Sequence, residues 1–322
     1  MESKRYLCLD FGGSGIKYGI FRAENPETLF QQETRGVCKN TFRDQAEFRA
    51  AVEALIRENL AACPDISGIA VSYCGELNDQ TGRIHSPGAY PYNRNLDMKV
   101  WLEKTFLLPV SVQNDGNAAM LAEWKFGSLK GMRDAFMLVL GTGVGGSLVI
   151  DGHLHAGRNG FSGMLSVAIR SLGGEAAPEN MIMSACGSGY LAETYMAQCV
   201  ALGIPVPDQG AFQGWEFFEK ANAGDELALQ VLRQYCRQVT HLIINLHQTL
   251  ELEGIAIGGG ISAQPLLIEE IQRQVHGFFQ SAPMRILQIP EPAVTACHFH
   301  NDANLIGALI HHFACFAEKR VQ

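Results

Sequence analysis

The chain has 322 residues, of which 47% are hydrophobic and 18% charged, and its formal net charge at pH 7 is -8. This length favours two domains, and the composition is typical of an ordinary globular protein. The acidic balance and the lack of a basic stripe argue against nucleic-acid binding, and no apolar run is long enough to span a membrane. A strand is predicted within a few residues of Met1 and leaves no room for a signal peptide, so we expect a cytoplasmic protein.

The nine cysteines are odd in number and scattered, and none forms a Cys-x-x-Cys pair. Several lie within apolar strand or helix patterns. Reduced, buried thiols are therefore predicted, rather than a disulfide framework or a cysteine-rich metal site.

Residues 6–21 predict a buried strand, a glycine-rich turn and a returning strand. The glycines allow backbone angles that a side chain would forbid. We expect unpaired N–H groups of Gly12, Gly13 and Ser14 to point at one place, which would suit an anion such as a phosphate.

Two charged side chains flank this turn. Asp10 ends the first strand and is placed to hold Mg²⁺, directly or through water, and Lys17 adds a positive charge nearby. Short glycine motifs are weak signals, and an ordinary hairpin with a surface aspartate is the alternative.

A second copy of the pattern occupies residues 135–154, with Thr142 and Gly143 in its turn. Two such units predict an internal duplication, in which each of two similar domains offers a phosphate loop. Neither turn ends in Gly-Lys-Ser/Thr, so a P-loop is excluded. The first turn leads into a strand rather than a helix, which argues against a Rossmann site.

A long loop at residues 78–97 is rich in Gly, Pro, Asn and Tyr. Polar loops that carry aromatic residues often build ligand pockets, and Asn95 near its end is a candidate substrate ligand. A plain surface connection is the alternative.

The predicted strand at residues 109–113 is followed by Asn114 and Asp115, and then by a helical run at residues 118–126. A carboxylate at a strand end beside a helix start lies where ligands meet open α/β sheets. Asp115 could be the N-cap of that helix. It could also be a general base that takes a proton from a hydroxyl attacking a phosphate.

A third glycine turn, with Gly258, Gly259 and Gly260, follows a predicted strand that begins at Gly254 and precedes a predicted helix at residues 265–276. A strand, a side-chain-free turn and a helix start together suit a close approach to a nucleotide. A plain connection needs only one glycine, whereas this one has three, so Gly259 and Gly260 are predicted to contact the nucleotide.

Together these features predict phosphoryl transfer, and their order along almost the whole chain resembles the ROK family of sugar kinases in the actin-like ATPase superfamily. The resemblance implies an α/β fold of two actin-like (ribonuclease H-like) domains with an interdomain cleft. Residues 1–114 and 302–322 would form the smaller domain, and residues 115–301 the larger one. ATP and Mg²⁺ would be the cofactors and a homodimer is expected, with no nucleic-acid or membrane partner.

The resemblance also implies residue roles. Asp115 would be the catalytic base and Asn114 a sugar ligand. The turn with Thr142 and Gly143 would be the second phosphate motif, and the turn with Gly259 and Gly260 the adenosine motif.

The sequence departs from the family pattern after the second phosphate loop. Where the family has a sugar-binding Glu and a zinc-bridging His, this chain has Met164 and Val167. The cysteine zinc motif is missing too, so no zinc site is predicted. Glu179 is the counterpart, in a loose alignment, of another sugar-contacting Glu, and Met164 itself would line the substrate pocket.

These departures resemble the β-glucoside kinase branch of the family, which implies ATP-dependent phosphorylation of O6 of a sugar or β-glucoside. Two alternatives stay open. One is a kinase for a monosaccharide such as glucose or N-acetylmannosamine, and the other is a catalytically impaired sugar sensor or regulator of the same fold.

Overall fold

The computed structural model describes residues 3–13, 15–39, 41–158, 160–171, 173–206 and 212–317. The chain divides into two compact units. Unit 1 comprises Met1–Lys130, Leu154–Ser162 and Asn301–Gln322, and unit 2 comprises Gly131–His153 and Gly163–His300. The division differs from the predicted one because residues 115–130 and 154–162 belong with unit 1.

Unit 1 contains, within its described residues, a six-stranded mixed sheet, a two-stranded ribbon and four α-helices. The sheet has the order β3-β2-β1-β5-β8, and β4 also pairs with β2. Its central strands are parallel and its hairpin is antiparallel. The elements are β1 (Lys4–Phe11), β2 (Ile16–Ala23), β3 (Gln31–Gln32), β4 (Gly36–Cys38), α1 (Gln45–Ala62), β5 (Ile66–Tyr73), β6 (Glu76–Asn78), β7 (Arg83–Ser86), α2 (Met98–Phe106), β8 (Val110–Asn114), α3 (Asp115–Phe126) and α10 (Ala303–Ala317).

The core of unit 1 follows from the apolar periods of its elements. Strand β1 is buried from Tyr6 to its end, as expected of a central strand covered on both faces. Helix α1 buries Phe48, Val52 and Ile56 along one side, and Asp44 caps its N-terminus by accepting a hydrogen bond from the Glu47 N–H at 2.9 Å.

Helix α10 returns from the end of the chain and packs on α3 in unit 1. The two helices meet at Gly307, where an added Cβ would lie 1.6 Å from the carbonyl oxygen of Ala118. Only glycine allows this close approach, which positions the first turn of α10 beside the sheet.

Unit 2 contains, in the part of the chain that is described, a five-stranded sheet of order β11-β10-β9-β12-β13. Strand β9 is antiparallel to β10 and parallel to β12, and β12 is parallel to β13. Its elements are β9 (Ala135–Leu140), β10 (Val144–Ile150), β11 (His153–Leu154), α4 (Met183–Cys186), α5 (Gly189–Ala201), α6 (Gly214–Asn222), α7 (Glu226–Leu250), β12 (Gly254–Gly258), α8 (Pro265–Phe279), α9 (Ala282–Leu287) and β13 (Ala293–Ala296).

The two sheets share one strand order: a returning strand, a hairpin strand, and then two parallel strands. This agreement supports the predicted duplication, and the predicted α/β class is confirmed. The loop predicted at residues 78–97 is only partly a loop, because β6 and β7 form a short hairpin there. The aromatic residues of the same segment pack inward, and Tyr90 is fully buried.

Candidate active site

Asp115 is the first residue of α3, directly after β8. The N-cap of this helix is Asn114, whose Oδ1 accepts a hydrogen bond from the Asn117 N–H at 3.1 Å. Asp115 Oδ1 accepts hydrogen bonds from the Gly116 N–H at 2.8 Å and from Asn114 Nδ2 at 3.1 Å. The capping role considered for Asp115 is therefore wrong, and its Oδ2 makes no hydrogen bond with the described residues.

The side chain of Asn114 is held in place by local hydrogen bonds. Besides capping α3 and holding Asp115, its Nδ2 donates to the carbonyl oxygen of Gly75 at 3.1 Å. These contacts fix the orientation of the Asp115 carboxylate. The predicted contact between Asn114 and a sugar stays a prediction.

The pKa of Asp115 is raised to about 6, chiefly by burial and to a lesser extent by the negative charge of Asp10, whereas the hydrogen bond from the Gly116 N–H lowers it. A carboxyl with such a pKa is a stronger base than a free carboxylate and is still largely ionised at neutral pH. This is the range in which a general base works best.

Asp10 lies on β1 in register with Lys17 on β2 and with Ser72 on β5. It is 1% exposed. Its Oδ1 accepts hydrogen bonds from Ser72 Oγ at 2.8 Å and from Asn304 Nδ2 on α10 at 3.0 Å. Lys17 Nζ lies 3.7 Å from Oδ2. The carboxylate is thus held by side chains from β2, β5 and α10, and β8, which directly precedes the candidate base, is the next strand of the sheet after β5.

This arrangement fits a magnesium ion held through water. Mg²⁺ in phosphoryl-transfer sites is bound by one or two carboxylates, with water and phosphate oxygens as the other ligands. Asp10 provides one such carboxylate, and its Oδ2 makes no hydrogen bond with the described residues. Those residues include no group of three or more His, Cys, Asp or Glu side chains that could hold a metal.

The first glycine turn is more internally bonded than predicted. The Gly12 N–H donates to the Gly15 carbonyl at 3.1 Å, so the expectation that it is unpaired is wrong. Gly13 lies in the same turn, and an added Cβ on it would meet no atom within 4 Å. Ser14 lies outside the described residues. The Tyr90 hydroxyl donates to the Gly12 carbonyl at 3.0 Å, so the aromatic loop is bonded to this turn.

The second turn has the same internal bond, from the Gly141 N–H to the Gly143 carbonyl at 3.0 Å. Ser166 braces it, because its Oγ accepts from the Val144 N–H at 2.8 Å and would lie 2.7 Å from a Cβ on Gly143. Thr142 at the tip of the turn is exposed.

In the third turn Gly259 has a φ of +93°, and an added Cβ would lie 2.2 Å from the Leu140 carbonyl oxygen. A side chain is excluded at this position on both grounds. Gly260 lines a cavity of about 410 Å³ in unit 2, between this turn and the N-terminal ends of α5 and α6. The cavity is also lined by the polar and apolar side chains of Glu193, Met196, Phe212 and Trp215.

Apart from Gly260, the residues that line this cavity were not predicted from the sequence. Trp215 is 60% exposed at the start of α6, whereas most tryptophans are largely buried. A tryptophan directly after Gly214 at a helix start was the available signal. Its meaning depends on Gly260, which is distant in sequence.

The remaining predicted substrate ligands lie in both units. Asn95 in unit 1 is exposed, with a φ of 64°, and its N–H donates to the Ile84 carbonyl at 2.9 Å. In unit 2, Met164 is 44% exposed, Val167 is 55% exposed, and Glu179 lies exposed in a short 3-10 turn. No hydrogen bond joins the side chain of Asn95, Met164 or Glu179 to another candidate site residue in the described part of the chain. Their roles in substrate binding stay predictions.

Glu76 is a further residue that the sequence reasoning did not assign. It begins β6, directly after Gly75, whose carbonyl oxygen binds Asn114. Its pKa is raised to about 7, first by burial and then by the negative charge of Asp115. Its Oε2 is buried and has no hydrogen-bond partner in the part of the chain that the structure describes.

Comparison with known proteins decides the family. A model of the ROK family matches residues 6–312. This chain belongs to the ROK family. The ROK protein is 26% identical over 307 residues to a β-glucoside kinase of Listeria monocytogenes, a match that covers 95% of this chain and 97% of the relative. With full-length relatives of this kind it is a ROK sugar kinase, as the sequence predicted.

Two solved structures match the ROK kinase over nearly its full length. A ROK family protein from Streptococcus pneumoniae TIGR4, in complex with sucrose, has a TM-score of 0.81 and 25% identity, covering 99% of this chain and 100% of that chain. A ROK family glucokinase from Streptomyces griseus, in complex with glucose and AMPPNP, has a TM-score of 0.73 and 21% identity, covering 94% and 97%. The predicted two-domain actin-like fold class is thereby confirmed.

No helix among the described residues of the ROK kinase is both long and apolar enough to cross a bilayer. The predicted absence of zinc and the predicted homodimer stay predictions.

Proposed function

We propose that this ROK kinase transfers the γ-phosphate of ATP to the primary hydroxyl, O6, of a sugar or β-glucoside, with Asp115 as the general base. The main support for this proposal is the hydrogen bonding and the raised pKa of the Asp115 carboxylate. One oxygen is fixed by two hydrogen bonds, the other has no hydrogen-bond partner among the described residues, and the pKa is raised to about 6.

In the proposed reaction Asp115 Oδ2 accepts the proton of the sugar hydroxyl as its oxygen attacks the γ-phosphorus. The bond from the γ-phosphorus to the bridging oxygen of ADP breaks, and the products are a sugar 6-phosphate and ADP. Because such a transition state needs little covalent help, positioning and charge neutralisation supply most of the catalysis.

Unit 1 contributes the residues for the phosphate end of the nucleotide. Asp10 would hold Mg²⁺ through water, and the ion would neutralise charge on the phosphate oxygens. Lys17 adds a positive charge beside Asp10, and the backbone around Gly12 and Gly13 would face the phosphates.

Unit 2 contributes a second turn at Thr142 and Gly143 and a cavity at Gly260 that we assign to the adenosine. The exposed indole of Trp215 and the side chains of Phe212 and Met196 offer apolar surface for a purine ring, and Glu193 offers an acceptor for a ribose hydroxyl. AMPPNP in the Streptomyces griseus glucokinase supports an adenine nucleotide as donor.

The β-glucoside assignment rests on sequence and on the relatives. The Listeria monocytogenes relative is a β-glucoside kinase, and the Streptococcus pneumoniae structure contains a disaccharide, sucrose. Met164 in place of a family glutamate leaves an apolar side chain where a sugar hydroxyl would otherwise find an acceptor. We infer that the pocket accepts a substituent on the sugar better than a glucose-specific site does.

The base is tested by Asp115→Asn, which keeps the size of the side chain and removes its basicity. We expect sugar-dependent ADP release to fall by about 10²- to 10⁴-fold, the range of general-base catalysis, with AMPPNP affinity unchanged. Glu58→Gln is the matched control, because it removes one carboxylate from an exposed position on α1. Near-normal turnover of Asp115→Asn would remove Asp115 as the base.

The substrate is tested by ADP release with cellobiose, glucose and N-acetylmannosamine. Cellobiose as the best acceptor supports the proposal. Preference for glucose or N-acetylmannosamine would instead assign a monosaccharide kinase, and binding without turnover for all three would favour a sugar sensor.

A further inference from the structure

One side-chain oxygen of Glu76 receives no hydrogen bond from the described residues. Its Oε2 is buried and makes no hydrogen bond to any described residue. A buried polar atom of this kind costs stability, and in native proteins such atoms are few and usually have a functional explanation. The oxygens of an ionised carboxylate only accept hydrogen bonds, so the missing partner of ionised Glu76 is a donor.

Two features of the backbone lie next to this carboxylate. The pairing of β6 with β7 is irregular here, because Glu76 pairs with Ser86 and Leu77 pairs with Ile84, so that β7 has one extra residue, His85, at this point. Such bulges are frequent next to active sites. Gly160 also lies close to the carboxylate, since an added Cβ there would lie 3.4 Å from Oε2.

Glu76 also lies beside the candidate base. The residue before it, Gly75, accepts the hydrogen bond from Asn114, which in turn holds Asp115. The negative charge of Asp115 also contributes to the raised pKa of Glu76. Because Gly75 and Asn114 link Glu76 to the candidate base, we expect a molecule whose hydroxyl binds Asp115 to have its other hydroxyls near Glu76.

We propose that Glu76 is a sugar-binding residue, whose buried carboxylate oxygen accepts a hydrogen bond from a hydroxyl of the acceptor sugar other than the one that is phosphorylated. This inference rests on the proposed function, because it takes the sugar to be bound at Asp115. It gives the site a carboxylate acceptor in a chain that has Met164 where the family pattern has a glutamate.

The simpler explanation is a carboxyl buried by chance that does nothing. The two explanations predict different energetics. An idle buried carboxyl changes neither sugar affinity nor the ranking of sugars when it is removed. A carboxylate that binds the sugar lacks a hydrogen-bond partner in the free protein, which costs stability, and gains that partner when the sugar binds. Removing the carboxylate therefore weakens sugar binding without lowering the melting temperature.

The test uses Glu76→Gln, Glu76→Ala and the exposed control Glu58→Gln in the full chain. Calorimetry measures the dissociation constant of the best acceptor among cellobiose, glucose and N-acetylmannosamine, and of its monodeoxy analogues. We expect Glu76→Ala to weaken binding by about 10- to 100-fold, as for loss of a hydrogen bond to a charged group, and Glu76→Gln to weaken it less. AMPPNP affinity and the melting temperature of Glu76→Gln should match those of the control.

A double-mutant cycle identifies the hydroxyl. One monodeoxy analogue should lose affinity for the wild type but lose almost nothing further for Glu76→Ala, whereas the other analogues lose the same factor in both proteins. Equal losses for every analogue, or unchanged affinity in both Glu76 variants, would overturn the inference. If Glu76→Ala melts several degrees lower, Glu76→Gln decides on the same criteria.

The readout is binding, so it separates this inference from the proposed function. A wild type that binds the sugar but does not phosphorylate it removes the kinase proposal and leaves the Glu76 test intact. A wild type that phosphorylates the sugar, with additive cycles throughout, removes Glu76 alone.

Discussion

At the scale of single residues, Asn114 and Asp115 have different parts in the candidate site: Asn114 caps the helix, and Asp115 is the candidate base. Helix starts favour both Asn and Asp as caps, so either residue could have filled that position. The backbone places Asn114 there, and the cap amide then also holds one oxygen of Asp115. Asp115 Oδ2 is left without a hydrogen bond to any described residue, as the proposed role of a general base requires.

The raised pKa of Asp115 is directly measurable. We expect its carboxyl carbon to titrate near pH 6 in the free protein, about two units above the usual value, because burial and the charge of Asp10 disfavour the ionised form. Nuclear magnetic resonance of carboxyl-labelled protein measures this, and Asp115→Asn assigns the resonance. Titration near pH 4 would show that the carboxyl is not buried as described.

The sign of the linked stability follows from the same shift. A carboxyl whose pKa rises on folding contributes its full stability below about pH 4, and that contribution is lost as the pH rises through about 6. At pH 7 the ionised Asp115 destabilises the fold, so Asp115→Asn should unfold at the same temperature as the wild type or a higher one.

Sequence patterns singled out Asp10 and Asp115 as candidate site residues because each lies at or directly after the end of an apolar strand, and a strand end is visible in one sequence. They did not predict Ser72, Asn304 or Glu76. Those residues gain their meaning from pairing between distant strands, from a helix at the end of the chain, and from a bulge. None of these leaves a local pattern.

At the scale of elements, the close contact of α10 with α3 is a second test. Gly307→Ala should lower the free energy of unfolding by about 1–3 kcal/mol, because its Cβ would collide with the Ala118 carbonyl and push the helices apart. Gly277→Ala in α8 is the matched control. An added Cβ meets nothing there, so that change should stabilise the protein by about 0.5–1 kcal/mol.

Urea unfolding measures both variants. A Gly307→Ala protein as stable as the wild type would show that α10 does not pack as described. The long apolar helices and buried strands were predictable because their periods repeat many times. The hairpin of β6 and β7 was not, because strands of three and four residues carry one buried apolar side chain each.

At the scale of the whole molecule, the duplicated strand order explains why glycine turns recur. In each unit the central strand is joined to its antiparallel neighbour by a turn, at the edge where the parallel strands also end. Function then differs between units through what surrounds the turn. Unit 1 has Asp10 just before its turn, whereas unit 2 has a cavity with an exposed tryptophan at the glycine turn after β12.

The predicted absence of zinc also concerns the whole molecule. Val167 cannot ligate a metal, and no cysteine zinc motif accompanies it. Purified protein should therefore contain no stoichiometric zinc by elemental analysis, and a chelator should leave its melting temperature unchanged in the absence of Mg²⁺. Zinc at one atom per chain would contradict this prediction, and a chelator-sensitive melting temperature would do the same.

The hydroxyl of Tyr90 bonds the aromatic loop to the backbone of the first glycine turn. A sugar that shifts this loop would thereby also move the backbone that we propose to face the donor's phosphates. Poorly fitting acceptors would then slow the transfer itself as well as bind weakly. Selectivity among sugars would then depend on the rate of phosphoryl transfer as well as on binding, and affinity measurements alone would underestimate it.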